Sequence, residues 1–188
     1  MIPRLESIAG PNFISARVHP GMSDQPAGAW PGPAITADAL GEELARSVRQ
    51  RAENVPESLV GFVRTMSLDA ERVRVELAYL SIVTMHFCVG VALAGHAQQA
   101  RVLAAFYHGL WSGSAWRASE PGLTERVPQY ETALNNPHPD LGRGYGMGRA
   151  FARLCGASHD VPVIEVGALA YVEQLPPILS LLRGVTVL

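Results

Sequence analysis

The sequence predicts an all-α protein: an irregular antiparallel bundle of six or seven helices around a buried central helix, with an extended Pro/Gly-rich arm at its N-terminal end. Three observations predict it. Apolar residues recur at helical spacing through most of the chain. The stretch 77–94 is apolar nearly all round, as a helix enclosed by others must be. Turn-forming residues separate the periodic segments by only a few positions, which makes consecutive helices antiparallel neighbours. Strand signals are confined to residues 13–18 and 185–188, and no internal repeat is evident.

The arm is residues 1–35 and the helical domain residues 36–188. Pro3, Pro11, Pro20, Pro26, Pro31 and Pro33 exclude a regular helix from the arm. It still carries Ile2, Leu5, Ile8, Phe13, Ile14, Val18 and Trp30, which a purely solvated linker would not need. The arm is therefore expected to pack on the domain or on a neighbouring subunit.

A first helix is expected over residues 37–53. Thr36 is its N-cap, Asp38 lies in its first turn, Leu40, Leu44 and Val48 form its stripe, and Glu42 is within reach of Arg46. A shorter helix follows over 56–65, with Pro56 at its first position. Ser67 is read as the cap of the longest helix, 68–94, about 40 Å if fully helical, with Gly95 ending it. The next helix spans 96–111. After a turn at 120–122, a helix over 124–135 keeps Pro128 near its first turn. The segment Asn135-Asn136-Pro137-His138-Pro139 breaks the chain. Residues 142–155 form a helix ended by Gly156, and the last helical region, 163–182, is interrupted at Pro176-Pro177. The apolar tail 185–188 is expected to be buried.

Composition narrows the function classes. Only 17% of the 188 residues are charged and 48% are hydrophobic, so the surface is short of charge for a soluble domain. This points to apolar surface covered by a second copy or a protein partner. The net charge is -2 with no basic block, which disfavours nucleic-acid binding. All 15 cationic residues are arginine, so Schiff-base and P-loop lysine chemistry is absent. A GC-rich genome explains the missing lysines. Selection against ubiquitination, as in a protein delivered into a eukaryotic cell, is the sharper alternative. Cys88 and Cys155 have no metal-ligand spacing and are expected to be reduced. A basic segment followed by an apolar one is missing at the N-terminal end. A cytoplasmic protein without a membrane span is expected, with residues 77–94 as a buried helix.

Candidate sites follow from residues that sit badly with simple packing. His86 lies in an apolar helix, where an unpaired polar group is costly; Glu76 and Tyr79 precede it, Tyr79 falling near its face. A neutral core histidine is the ordinary reading; a pocket group or an axial haem ligand is the functional one. The run Gly142-Arg143-Gly144-Tyr145-Gly146-Met147-Gly148-Arg149 does not match a dinucleotide or phosphate loop. If helical, its two GxxxG pairs admit close packing; with Arg143 and Arg149 it could instead hold an anion. Glu76, Tyr79, His86, Arg143 and Arg149 are thus the ligand-binding candidates. Phe13, Trp30, Tyr107, Trp111 and Trp116 are the interface candidates, because clustered aromatics anchor cores and interfaces. The histidine spacings predict no metal site, no cofactor is predicted, and haem is the alternative. Nucleophile motifs are absent and no catalytic residue is assigned. The sequence is read as a non-enzymatic protein–protein interaction domain working as a homodimer. The alternative is a small-molecule or haem-binding bundle, an enzyme included, with its pocket near His86 and the 142–148 run.

Overall fold

The structure is a computed structural model that describes residues 32–55, 59, 61, 62, 65–112 and 120–188. Phe13, Trp30, Trp116, most of the expected arm and most of the expected 56–65 helix lie outside the described residues. What is described is mostly α-helical, with six helices and one two-stranded pairing. In chain order these are β1 (Ala34–Ile35), α1 (Ala37–Glu53), α2 (Ala70–Ala92), α3 (Gln99–Trp111), α4 (Glu120–Asn135), α5 (Gly142–Leu154), α6 (Val161–Arg183) and β2 (Thr186–Val187).

Helix α1 starts where local chemistry demands. The Thr36 hydroxyl accepts from the Ala39 amide at 3.2 Å. Leu40, Leu44, Ala45 and Val48 turn inward. Arg46 pairs with Glu43 rather than with the expected Glu42; both acids lie within one turn, and the i,i+3 partner is taken. Gly41 sits against the α3 backbone, where a Cβ would stand 2.6 Å from the Val102 carbonyl oxygen. Asp38 and Arg101 close the same pair of helices through two hydrogen bonds, at 2.9 and 2.5 Å.

Helix α2 packs against each of the other five helices. Its residues from Glu76 to Met85 are buried without a break, so it has no solvent face there. Its length and composition would suffice to cross a membrane. Two of its polar side chains are satisfied within the helix: Ser81 donates to the Leu77 carbonyl at 2.9 Å and Thr84 to Leu80 at 2.7 Å. Its cap is Asp69, not Ser67. The Asp69 carboxylate accepts from the Glu71 and Arg72 amides, while Ser67 takes a left-handed φ of 56° in the turn before it.

Three further expectations change. Helix α3 begins at Gln99 rather than 96, because Gly95 at φ 77° is followed by tight turns, His96 N–H to Leu93 and Gln99 N–H to His96. Helix α4 already includes residues 120–122, so Pro128 lies in its interior. Helix α6 runs unbroken through Pro176 and Pro177. All three prolines are exposed, so carbonyls that lose their intrahelical donor can face water.

The glycine run is helical. A Cβ on Gly148 would stand 2.2 Å from the Ile164 carbonyl oxygen, and one on Gly146 3.2 Å from that of Ala133. The run thus lets α5 approach α6 on one side and α4 on the other. Gly156, at φ 84°, ends α5 as expected. At the far end of α6 the tail pairs in parallel with β1: Thr186 N–H donates to Pro33 at 3.2 Å and Leu188 N–H to Ile35 at 2.9 Å. Thr186 and Val187 are half-buried, and Leu188 is exposed.

Candidate functional site

The five ligand-binding candidates do not converge on one pocket: Glu76 and Tyr79 share Arg126, while His86, Arg143 and Arg149 lie elsewhere. Glu76 is fully buried on α2 and accepts from the Arg126 guanidinium of α4. Arg126 also donates to the Gly122 carbonyl at 3.0 Å and lies 4.7 Å above the Tyr79 ring. Burial pushes the Glu76 carboxyl above the usual carboxylate range, partly opposed by Arg126. The second Glu76 oxygen and the Tyr130 hydroxyl are both buried with no hydrogen-bond partner among the described residues. Burial, then the Glu76 charge, hold the Tyr130 phenol protonated. Arg126 escaped sequence reading because its partner is fifty positions away, and Tyr130 because only the fold brings it near Glu76. The one available signal was an acid inside an apolar helix, which demands a cation from somewhere.

His86 belongs to a different contact. Its Nδ1 and the Tyr107 hydroxyl of α3 form a hydrogen bond of 2.7 Å, with the rings tilted at 50°. Burial lowers its pKa to about 4, so the imidazole is neutral at pH 7. Tyr107 is buried against Phe106, and Trp111 is half-buried against the core. His86 lines neither of the two cavities described below.

Arg143 and Arg149 diverge on α5. Arg143 Nε donates to the Leu134 carbonyl at 3.0 Å, tying α5 to α4. Arg149 instead lines a cleft of about 290 Å³ between α4, α5 and the loop before α6, together with Gly146.

A larger groove of about 650 Å³ opens between α1, α2 and α6. Val55, Leu59, Leu77, Val166 and Leu169 make its apolar walls, with Arg51 and Glu173 at its polar positions. Neither Arg51 nor Glu173 has an ion pair among the described residues. Burial lowers the Arg51 pKa. Leu169, on the groove wall, is 58% exposed, and outside the groove α6 also exposes Val172 (48%) and Val161 (58%).

No family model matches this chain, and no curated protein or solved structure is detectably similar to it. The chemistry must be read from the groups themselves. Cys88 and Cys155 are free, and burial pushes both thiols up to about 12, the reverse of an activated nucleophile. Among the described residues no three His, Cys, Asp or Glu side chains gather to hold a metal ion. The arrangement offers an apolar groove beside an exposed helix face, and a separate cationic cleft.

Proposed function

We propose that this chain is a non-enzymatic helical protein–protein interaction domain that acts as a homodimer, docking through the outer face of α6 and the groove beside it. The observation that carries this reading is the stripe Val161, Leu169, Val172 and Pro176, which recurs at helical spacing on the exposed side of α6. Such a stripe is costly in water, at roughly 25 cal/mol per Å² of apolar surface. Charge favours a second copy as its occupant. Among the described residues the groove carries a cation, Arg51, and an anion, Glu173, that make no ion pair. A two-fold axis would bring Arg51 of each copy towards Glu173 of the other. The reading extends to an irregular antiparallel bundle around α2, in a cytoplasmic protein, with the 1–35 arm packed on the domain or across the dimer through Phe13 and Trp30.

Sedimentation equilibrium tests this. The expected mass is twice the 20.2 kDa of one chain. Leu169→Asp with Val172→Asp should restore the single-chain mass while leaving the helical circular dichroism intact. A wild-type protein that stays monomeric up to about 100 µM would overturn the proposal.

A small-molecule site is the second reading, favoured by one observation: Gly146 and Arg149, from the glycine run, line a cleft together. His86 lends it no support, being engaged by Tyr107.

A further inference from the structure

The cleft of about 290 Å³ beside Gly146 is one-sided in charge. Arg149 and Arg153 line it from one face of α5, at i and i+4, and His138, Ser158 and His159 line it from the flanking loops. Among the described residues its lining includes no carboxylate. Neither guanidinium has a hydrogen bond or ion pair with a described residue, a state they share with Arg51 and Arg183, while Arg46, Arg72, Arg101, Arg126 and Arg143 are engaged. Overall composition does not explain this, because acids outnumber arginines, 17 to 15. Like charges four apart on a helix repel by about 0.2–0.5 kcal/mol, and nothing in the lining offsets it.

The backbone assembles the cluster. Gly156 turns the chain at the end of α5, with its N–H bonded to Arg153 and that of Ala157 to Ala152. The turn returns Ser158 and His159 to the rim on which Arg153 stands. On the other side, His138 Nδ1 accepts from the Asp140 and Leu141 amides, at 3.3 and 3.2 Å. Its proton is therefore on Nε2, which makes the other ring nitrogen a donor. The Tyr145 ring meets the imidazole edge-on at 5.0 Å and holds it in place. Two arginine forks, a tautomer-fixed histidine, a second histidine and a hydroxyl are donors that suit a tetrahedral oxyanion.

We infer that this cleft binds the phosphomonoester group of a small soluble molecule. Its volume lies at the lower end of ligand pockets, enough for a phosphate on a small body and too small for a dinucleotide. The inference deepens the small-molecule reading and does not depend on the α6 dimer.

The test is isothermal titration of the full chain with inorganic phosphate and with glycerol 3-phosphate, in buffers matched in ionic strength with chloride. Saturable binding is expected, tighter for glycerol 3-phosphate. Arg149→Gln with Arg153→Gln should weaken it at least about tenfold, while Arg183→Gln, at the far end of α6, should leave it unchanged. Both cleft arginines are exposed, so the double variant should fold, and circular dichroism checks that it does. Absence of saturation by about 50 mM of either compound would overturn the inference, as would binding indifferent to the double variant. Vesicles containing phosphatidic acid form a separate arm. Co-sedimentation with them, without binding of glycerol 3-phosphate, would overturn the assignment to a soluble molecule. Because the α6 variants leave this cleft intact, failure of the dimer and failure of the anion site are distinguishable.

Discussion

His86 on α2 and Tyr107 on α3 share a hydrogen bond of 2.7 Å inside the protein. Burial holds the imidazole neutral, with a pKa of about 4 against an ordinary 6.5. Between those two values the unfolded chain binds a proton that the folded chain refuses. Stability contributed by the neutral histidine is therefore complete above about pH 6.5 and is lost as the pH falls towards 4. Glu76, whose pKa is raised, works in the opposite sense as acid is added. The comparison with His86→Gln removes that background. The stability difference between wild type and variant, measured by urea unfolding, should shrink by about 2–3 kcal/mol from pH 8 to pH 4. A difference independent of pH would mean that His86 is not held neutral.

The Glu76–Arg126 pair joins α2 to α4 across a site where the acid has no exposure at all. Arg126→Met should cost about 2–4 kcal/mol, because it strands a buried carboxylate; Arg126 itself is 22% exposed, which tempers the figure. Adding Glu76→Leu should recover most of that loss, since two apolar side chains need no partners. Urea denaturation of the single and double variants decides it. A double variant as unstable as Arg126→Met alone would show that the pair does more than neutralise one buried charge.

These two contacts also mark how far the sequence could be read. Thr36, Gly156 and the apolar stretch of α2 were legible because capping, left-handed turns and enclosure leave local signatures. Ser67 has the side chain of a cap, but the left-handed backbone turn there moves the cap to Asp69, two positions on. Pro176 and Pro177 signal a break by local rules, yet α6 continues because both face solvent. His86 was visible as a misfit in an apolar helix, and Glu76 only as an acid preceding it on the same helix. Their partners were not, because Arg126 and Tyr107 are brought to them by tertiary packing. Arg149 was visible beside its glycines; Arg153, Ser158 and His159 join it only once Gly156 has turned the chain.

Two glycines in helix interiors should respond oppositely to alanine. At Gly148 a Cβ would stand 2.2 Å from the Ile164 carbonyl oxygen, a backbone atom that cannot swing away. Gly148→Ala should force α5 from α6 and cost about 2 kcal/mol or more. At Gly90 in α2 the nearest atom is the Gln99 side-chain nitrogen, 4.0 Å from a new Cβ. Gly90→Ala should stabilise by about 0.5–1 kcal/mol through helix propensity. Thermal or urea unfolding of both variants checks this, and equal effects of the same sign would contradict the packing described.

Cys88 and Cys155 supply a probe of global opening. Both are buried and free, and burial raises both thiols to about 12. At pH 8 each should hold roughly a thousandth of the thiolate of an ordinary cysteine, and it is the thiolate that reacts. Labelling by a disulfide reagent in native buffer should therefore be slower than in urea by about 10³-fold or more, and should proceed through unfolding. Arg126→Met should speed the labelling of both cysteines by the same factor, about tenfold for each 1.4 kcal/mol of stability lost, if opening is global. Fast native labelling of Cys155 alone would locate a local opening at the end of α5, where that residue caps the helix next to Gly156.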